Sequence, residues 1–188
     1  MRSFVRFLLA AAALTSITIA CGEPRRLPAQ GAVFGDTLTV YALTGTDISF
    51  PTALNVGSLA LVRATGVFDY EIAFDINAAG DAVLYPVALL AAQEAGVRRV
   101  GLQKVPGTFD ALTSAPRDGY VYDQAIVAAP GDVIAIEAGV SCPYPYPQVI
   151  FAKLVVDTVN LAQRAIVFHA VTDPSCGFRS FLPGIPKS

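Results

Sequence analysis

Residues 67–76 read Val-Phe-Asp-Tyr-Glu-Ile-Ala-Phe-Asp-Ile, and their alternation decides the fold class. Phe68, Tyr70, Ile72, Phe74 and Ile76 fall on one side of an extended chain, and Asp69, Glu71, Ala73 and Asp75 on the other. Side chains of a strand point alternately to its two faces, so this stretch predicts a strand half in a core and half in water. Asn77-Ala-Ala-Gly-Asp81 is turn chemistry, and Ala82–Val87 is placed to return as a hairpin partner. Pro86 has no N–H to give a neighbouring strand, so the return strand is expected at a sheet edge or ending there.

Outward from this hairpin the same texture repeats. Short β-branched or alternating runs occupy Thr37–Leu43, Ser58–Ala64, Val97–Val105, Tyr120–Ala128, Val133–Ala138, Val149–Asp157 and Ala165–Thr172, separated by Gly, Pro, Asn and Asp. The best helical candidate is the alanine-rich Val87–Ala95. Some eight to nine short strands between residues 32 and 188 predict one all-β domain, an antiparallel sandwich of jelly-roll-like or Ig-like type. Its inner faces would include Phe68, Tyr70, Ile72, Phe74, Val100 and Leu102.

The first residues differ in kind. Arg2 and Arg6 make a basic start, and Phe7–Ala20 is an uncharged apolar run of about 14 residues, shorter than the roughly 20 that span a bilayer. It ends in Ile17-Thr-Ile-Ala-Cys21, which resembles the lipobox of bacterial lipoprotein precursors, with Thr18 where Leu is most often found. The resemblance implies cleavage after Ala20 and a diacylglycerol on the Cys21 sulfur, hence residues 1–20 as signal peptide. It also implies localisation at the cell envelope, and Gly22 in place of Asp after the cysteine points to the outer membrane of a Gram-negative cell. Residues 21–31, with the proline-containing EPRRLPAQ, read as a tether.

Charge narrows the partners. Of 13 basic and 15 acidic residues, removal of Arg2 and Arg6 leaves 11 against 15, a net of −4. Nucleic acid calls for clustered Lys and Arg, and Arg98, Arg99, Arg179 and Lys187 read instead as scattered, solvated surface. With Cys21 assigned to lipid, Cys142 and Cys176 remain as a pair for a disulfide in an oxidising compartment. If the flanking strands pair about a hairpin centred near Val159–Leu161, the two cysteines meet at its open end.

The candidates for chemistry are few. His169, the single histidine, lies in the aliphatic strand IVFHAVT. Asp69, Glu71 and Asp75 share a strand face at a spacing of roughly 6.6 Å, and they read as its solvated side. Asp75–Asp81 opens like an EF-hand calcium loop, but Ala79 fills a ligand position and Pro86 stands where the bidentate Glu belongs. Cys142-Pro-Tyr-Pro-Tyr-Pro147 is the most distinctive loop, because its prolines fix the backbone and present Tyr144 and Tyr146. The expectation is a non-enzymatic binding or structural module, without metal or cofactor, meeting the membrane through its lipid and a protein or glycan partner. Two alternatives stand beside it: a small glycoside-type hydrolase using the strand-face carboxylates, and a carbohydrate-binding module using Tyr144 and Tyr146.

Overall fold

The computed structural model describes residues 27–64, 69–91 and 98–187. The lipobox, Cys21, the start of the expected tether, Phe68 and the end of the expected helix lie outside these residues. Ten strands follow one another: β1 (Phe34–Tyr41), β2 (Ala53–Asn55), β3 (Ala60–Val62), β4 (Ile72–Ile76), β5 (Ala82–Pro86), β6 (Val100–Val105), β7 (Ile126–Ala128), β8 (Val133–Gly139), β9 (Val149–Asn160) and β10 (Ala165–Asp173). One short helix, α1 (Val87–Leu90), follows β5. Among the described residues no helix is long and apolar enough to cross a membrane.

The strands form two five-stranded sheets, ordered β1-β10-β9-β8-β6 and β3-β2-β4-β5-β7, with every pairing antiparallel. The chain is thus an all-β sandwich. Between the sheets, Leu38, Val40, Leu102, Ile136, Leu154, Ile166 and Phe168 of the first meet Leu54, Ile72, Phe74 and Leu84 of the second.

The first sheet is covered on its outer side as well. Ala115, Tyr120 and Phe181 pack with Ala135 and Phe151, so the segment between β6 and β7 and the C-terminal segment close over β8 and β9. A strand buried on both faces has no reason to alternate. Val133 to Ile136 are accordingly all buried, as are Ile150 to Leu154. Lys153 is carried into this second core, where its ammonium donates to the Phe109 carbonyl at 2.6 Å and lies 4.0 Å from the Phe109 ring centroid. Gly101 is required by the same layer: a Cβ there would stand 2.6 Å from the Tyr122 ring.

Several expectations change. Strand β2 was not foreseen; three residues are too few to show a period. Only Ile126–Ala128 of the expected Tyr120–Ala128 forms a strand, with Val121 making a single bridge to Leu102. Of the two places expected for Pro86, the end of the strand is the one found, because β7 pairs the other side of β5. Pro86 is tolerated because it ends β5, and the pairing with β7 stops at Leu84.

Glu71 is the clearest reversal. It is buried at 1% exposure, not solvated, and Ala73, two residues on along the same side of the chain, is buried as well, so the face expected in water is covered here. Its carboxylate accepts the Val56 N–H at 2.6 Å and pairs with Arg98 at 3.1 Å. Arg98 is thereby a structural partner, and Arg99 lies 3.5 Å over the Tyr122 ring; neither is idle surface charge.

The two ends of the sandwich are tied differently. At the β9–β10 turn, Arg164 donates to the Thr44 carbonyl, the Asp75 carboxylate and the Ile76 carbonyl, joining the first sheet to β4 in the second. The opposite end gathers the start of β1, the start of β9 and the end of β10, and the termini of the described chain meet there.

Candidate functional site

Antiparallel order brings three segments together at that second end: residues 27–33 before β1, 140–148 between β8 and β9, and 174–187 after β10. Cys142 and Cys176 are joined by a disulfide with their Cα atoms 6.1 Å apart. The pairing is as expected, but its geometry has another origin. Strand β9 pairs with β10 from Asn160–Ala165 to Phe151–Asp173, so the hairpin turns at residues 161–164. Three more residues along that register put Cys176 across from Gln148, not Cys142. Cys142 arrives because its own loop doubles back: Val140 N–H donates to the Gln148 carbonyl, and Cys142 N–H to the Gln148 side chain at 2.8 Å.

The Gln148 amide closes the proline loop from within by donating to the carbonyls of Cys142 and Tyr146. Tyr146 N–H donates to the Pro143 carbonyl, and the Tyr144–Pro145 peptide bond is cis. Gly177 lies against this loop at a φ of 79°, where a Cβ would be 2.5 Å from Pro147. Only glycine combines that left-handed backbone with so close an approach.

The N-terminal segment docks on the same construction. Tyr146 donates its hydroxyl to the Pro28 carbonyl at 2.9 Å. The buried Ser175 hydroxyl accepts the N–H groups of Gln30 and Gly31 and donates to the Gly31 carbonyl, while Cys176 N–H donates to the Gln30 side chain. Val33 bridges Gly184. Pro28, Gln30 and Gly31, which fall in the expected tether, are thus hydrogen-bonded to the sandwich.

These segments, with Thr113 and Ser114 of the β6–β7 connection, line an open cavity of about 620 Å³. Leu27, Tyr146, Phe178 and Leu182 supply its apolar wall, and Arg179 and Lys187 its basic groups. Arg179 is not the solvated residue expected. Its Nε donates to the Ala115 carbonyl, its guanidinium lies 4.2 Å over the Phe151 ring, and one terminal nitrogen is buried without a hydrogen-bond partner among the described residues. At the end of β10, Asp173 is fully buried. One carboxylate oxygen accepts Ser175 N–H and the other has no partner among the described residues. Desolvation holds its pKa above the ordinary carboxyl value, against the opposing polar groups of Ser175 and the Ser180 backbone.

Of the residues singled out from sequence, Tyr146 and Cys176 line this cavity and Cys142 braces it. Tyr144 points away into solvent at 96% exposure, so the two tyrosines do not share a platform. The candidate acid groups do not converge there. Glu71 is buried against Arg98, Asp75 is held by Thr44 and Arg164, and Asp69 is exposed before β4. His169 lies on β10 with Thr37 Oγ1 3.2 Å from its Nδ1 and Phe109 packed edge-on. Asp81 accepts from the Asn77 amide within the β4–β5 turn, whose Asn77 oxygen caps two backbone N–H groups. Arg179 and Lys187, read from sequence as solvated surface, line the cavity too, and Phe178 and Leu182 were missed. Their one signal was the run Phe-Arg-Ser-Phe at 178–181, two residues past a bridging cysteine.

No protein-family model matches the chain, and neither a curated protein nor a solved structure matches it.

Proposed function

We propose that this is a lipid-anchored envelope protein, held through Cys21 in the outer membrane of a Gram-negative cell, whose sandwich domain binds a ligand in the disulfide-braced cavity. One observation carries the binding part: the cavity is walled by apolar side chains with Arg179 and Lys187 among them, and it is braced by a disulfide, a proline loop and a docked N-terminal segment. Concave, largely apolar sites with a few polar groups are the usual form of a small-ligand site. Its chemistry suits an amphiphile with an apolar body and an anionic group. The carboxylates and His169 stand apart from the cavity, so a hydrolase draws no support from their placement. A two-tyrosine sugar platform draws none either, with Tyr146 bonded to Pro28 and Tyr144 turned outward.

Two measurements test this reading. Mass spectrometry of the processed N-terminus should find Cys21 as the first residue carrying a diacylglycerol; an unmodified Cys21, or cleavage elsewhere, refutes the anchor. Titration with anilinonaphthalene sulfonate, an aromatic anion, should show saturable fluorescence that Leu182→Glu weakens by about tenfold, equivalent to about 1.4 kcal/mol. Unchanged binding in that variant would remove the cavity from the proposal.

A further inference from the structure

The cavity end of the sandwich carries three side chains that a water-facing surface does not explain. Tyr144 is 96% exposed, Ile185 70% and Leu182 57%. Leu182 lines the cavity mouth, Ile185 follows Gly184, which bridges Val33, and Tyr144 stands in the loop that supplies Tyr146 and Pro147 to the cavity wall. Lys187 lines the cavity as well. Exposed apolar side chains also occur at the opposite end, at Ile48 and Leu161, so exposure alone does not tell what covers either end.

Chain length decides between them. Leu27 is itself part of the cavity wall, and Cys21 precedes it by only six residues. Six residues fully extended reach at most about 20 Å. Strand β9 runs twelve residues from the cavity end to the Arg164 end, about 40 Å at roughly 3.3 Å per residue. A lipid on Cys21 can thus keep the cavity end against the bilayer, whereas the opposite end is held beyond its reach.

We infer that the cavity end of the sandwich, on which Tyr144, Leu182 and Ile185 are exposed, is a membrane-docking face, seated in the interface of the bilayer that holds the anchor. The inference rests on the proposed lipidation of Cys21. Tyrosine favours the interface because its ring is apolar and its hydroxyl is hydrated there, and leucine and isoleucine add apolar area below it. Lys187 at the cavity supplies positive charge toward anionic headgroups although the chain as a whole is acidic. A single lipid attachment fixes position but not orientation, and the contacts of this face would supply the orientation. The cavity then opens toward the headgroup layer.

The chain contains no tryptophan, so one introduced tryptophan reports its own surroundings. Tyr144→Trp, Leu182→Trp and Ile48→Trp replace exposed side chains and leave the core intact. Each full processed protein is reconstituted in phosphatidylethanolamine–phosphatidylglycerol vesicles with dibrominated acyl chains. Emission from Tyr144→Trp and Leu182→Trp should shift to the blue and be quenched by the brominated chains, and that from Ile48→Trp should match the protein in bromine-free vesicles. Quenching that is absent at the first two, or as strong at Ile48→Trp, overturns the docking face. Intact mass of the same preparations separates the two claims: lipidated but unquenched protein sinks the orientation alone, and unmodified Cys21 sinks the anchor and with it the inference.

Discussion

At the scale of single residues, two buried carboxyls carry information that alternation hides. Glu71 faces inward, and its oxygen is the acceptor for the Val56 amide, whose residue is itself fully buried. Glu71→Ala orphans that amide, which costs about 1–3 kcal/mol; the Arg98 pair adds less, because Arg98 keeps contact with water. Glu71→Gln retains an acceptor and should recover part of the loss in urea denaturation. Equal losses in the two variants would mean that the charge, not the acceptor, matters. Desolvation raises the pKa of both Glu71 and Asp173 above the ordinary carboxyl values of 4.5 and 3.8, against hydrogen bonds that pull it down. A carboxyl with a raised folded pKa binds its proton more tightly folded than unfolded. Its contribution is therefore most favourable at low pH, and stability falls as the pH climbs from the unfolded value through the folded one. Asp173→Asn removes that dependence, so the variant should gain on the wild-type protein between pH 4 and pH 7. A constant difference between the two across that range would show that Asp173 does not titrate as its burial requires.

At the scale of elements, legibility followed exposure. Strand β4 and its hairpin partner β5 were readable because a run of alternating residues and the turn residues Asn77 and Gly80 point the same way. Strands β8 and β9 were readable as β-branched runs, but not as doubly buried ones, because what covers them is the distant 109–122 and 181 region. Strand β2 was invisible at three residues. The cysteine pair was legible from its count alone, whereas the hairpin argument gave a correct answer through a wrong register: the turn is at 161–164, and the fold-back onto Gln148 brings Cys142 into place. The disulfide closes a separation of 34 residues, so the chain-entropy estimate makes it worth about 3–4 kcal/mol. Cys142→Ser with Cys176→Ser should lose that much in chemical denaturation, and anilinonaphthalene sulfonate binding should fall in parallel because the bridge braces the cavity wall. A melting temperature indifferent to reductant would contradict both.

At the scale of the whole molecule, the cavity was illegible because no one segment encodes it. Leu27, Tyr146, Phe178 and Leu182 come from three stretches that meet only because β1, β9 and β10 lie side by side. The same convergence bears on where the domain starts. Composition placed it at residue 32, since EPRRLPAQ is polar and proline-bearing, yet polar backbone is what a buried hydroxyl can hold. Ser175 is fully buried and makes three hydrogen bonds to Gln30 and Gly31, two accepted and one donated. Ser175→Ala deletes all three while removing a single oxygen, and a set of this kind is worth about 1–3 kcal/mol. If Pro28 to Gly31 is part of the cooperative unit, the Gln30 and Gly31 amides are protected from hydrogen exchange in the wild-type protein and lose protection in the variant. The amides of β9, such as Leu154, should change only by the shared loss of global stability. Unprotected Gln30 and Gly31 amides in the wild-type protein would instead return this stretch to the tether, lengthening the reach from Cys21 and freeing the cavity end from the bilayer.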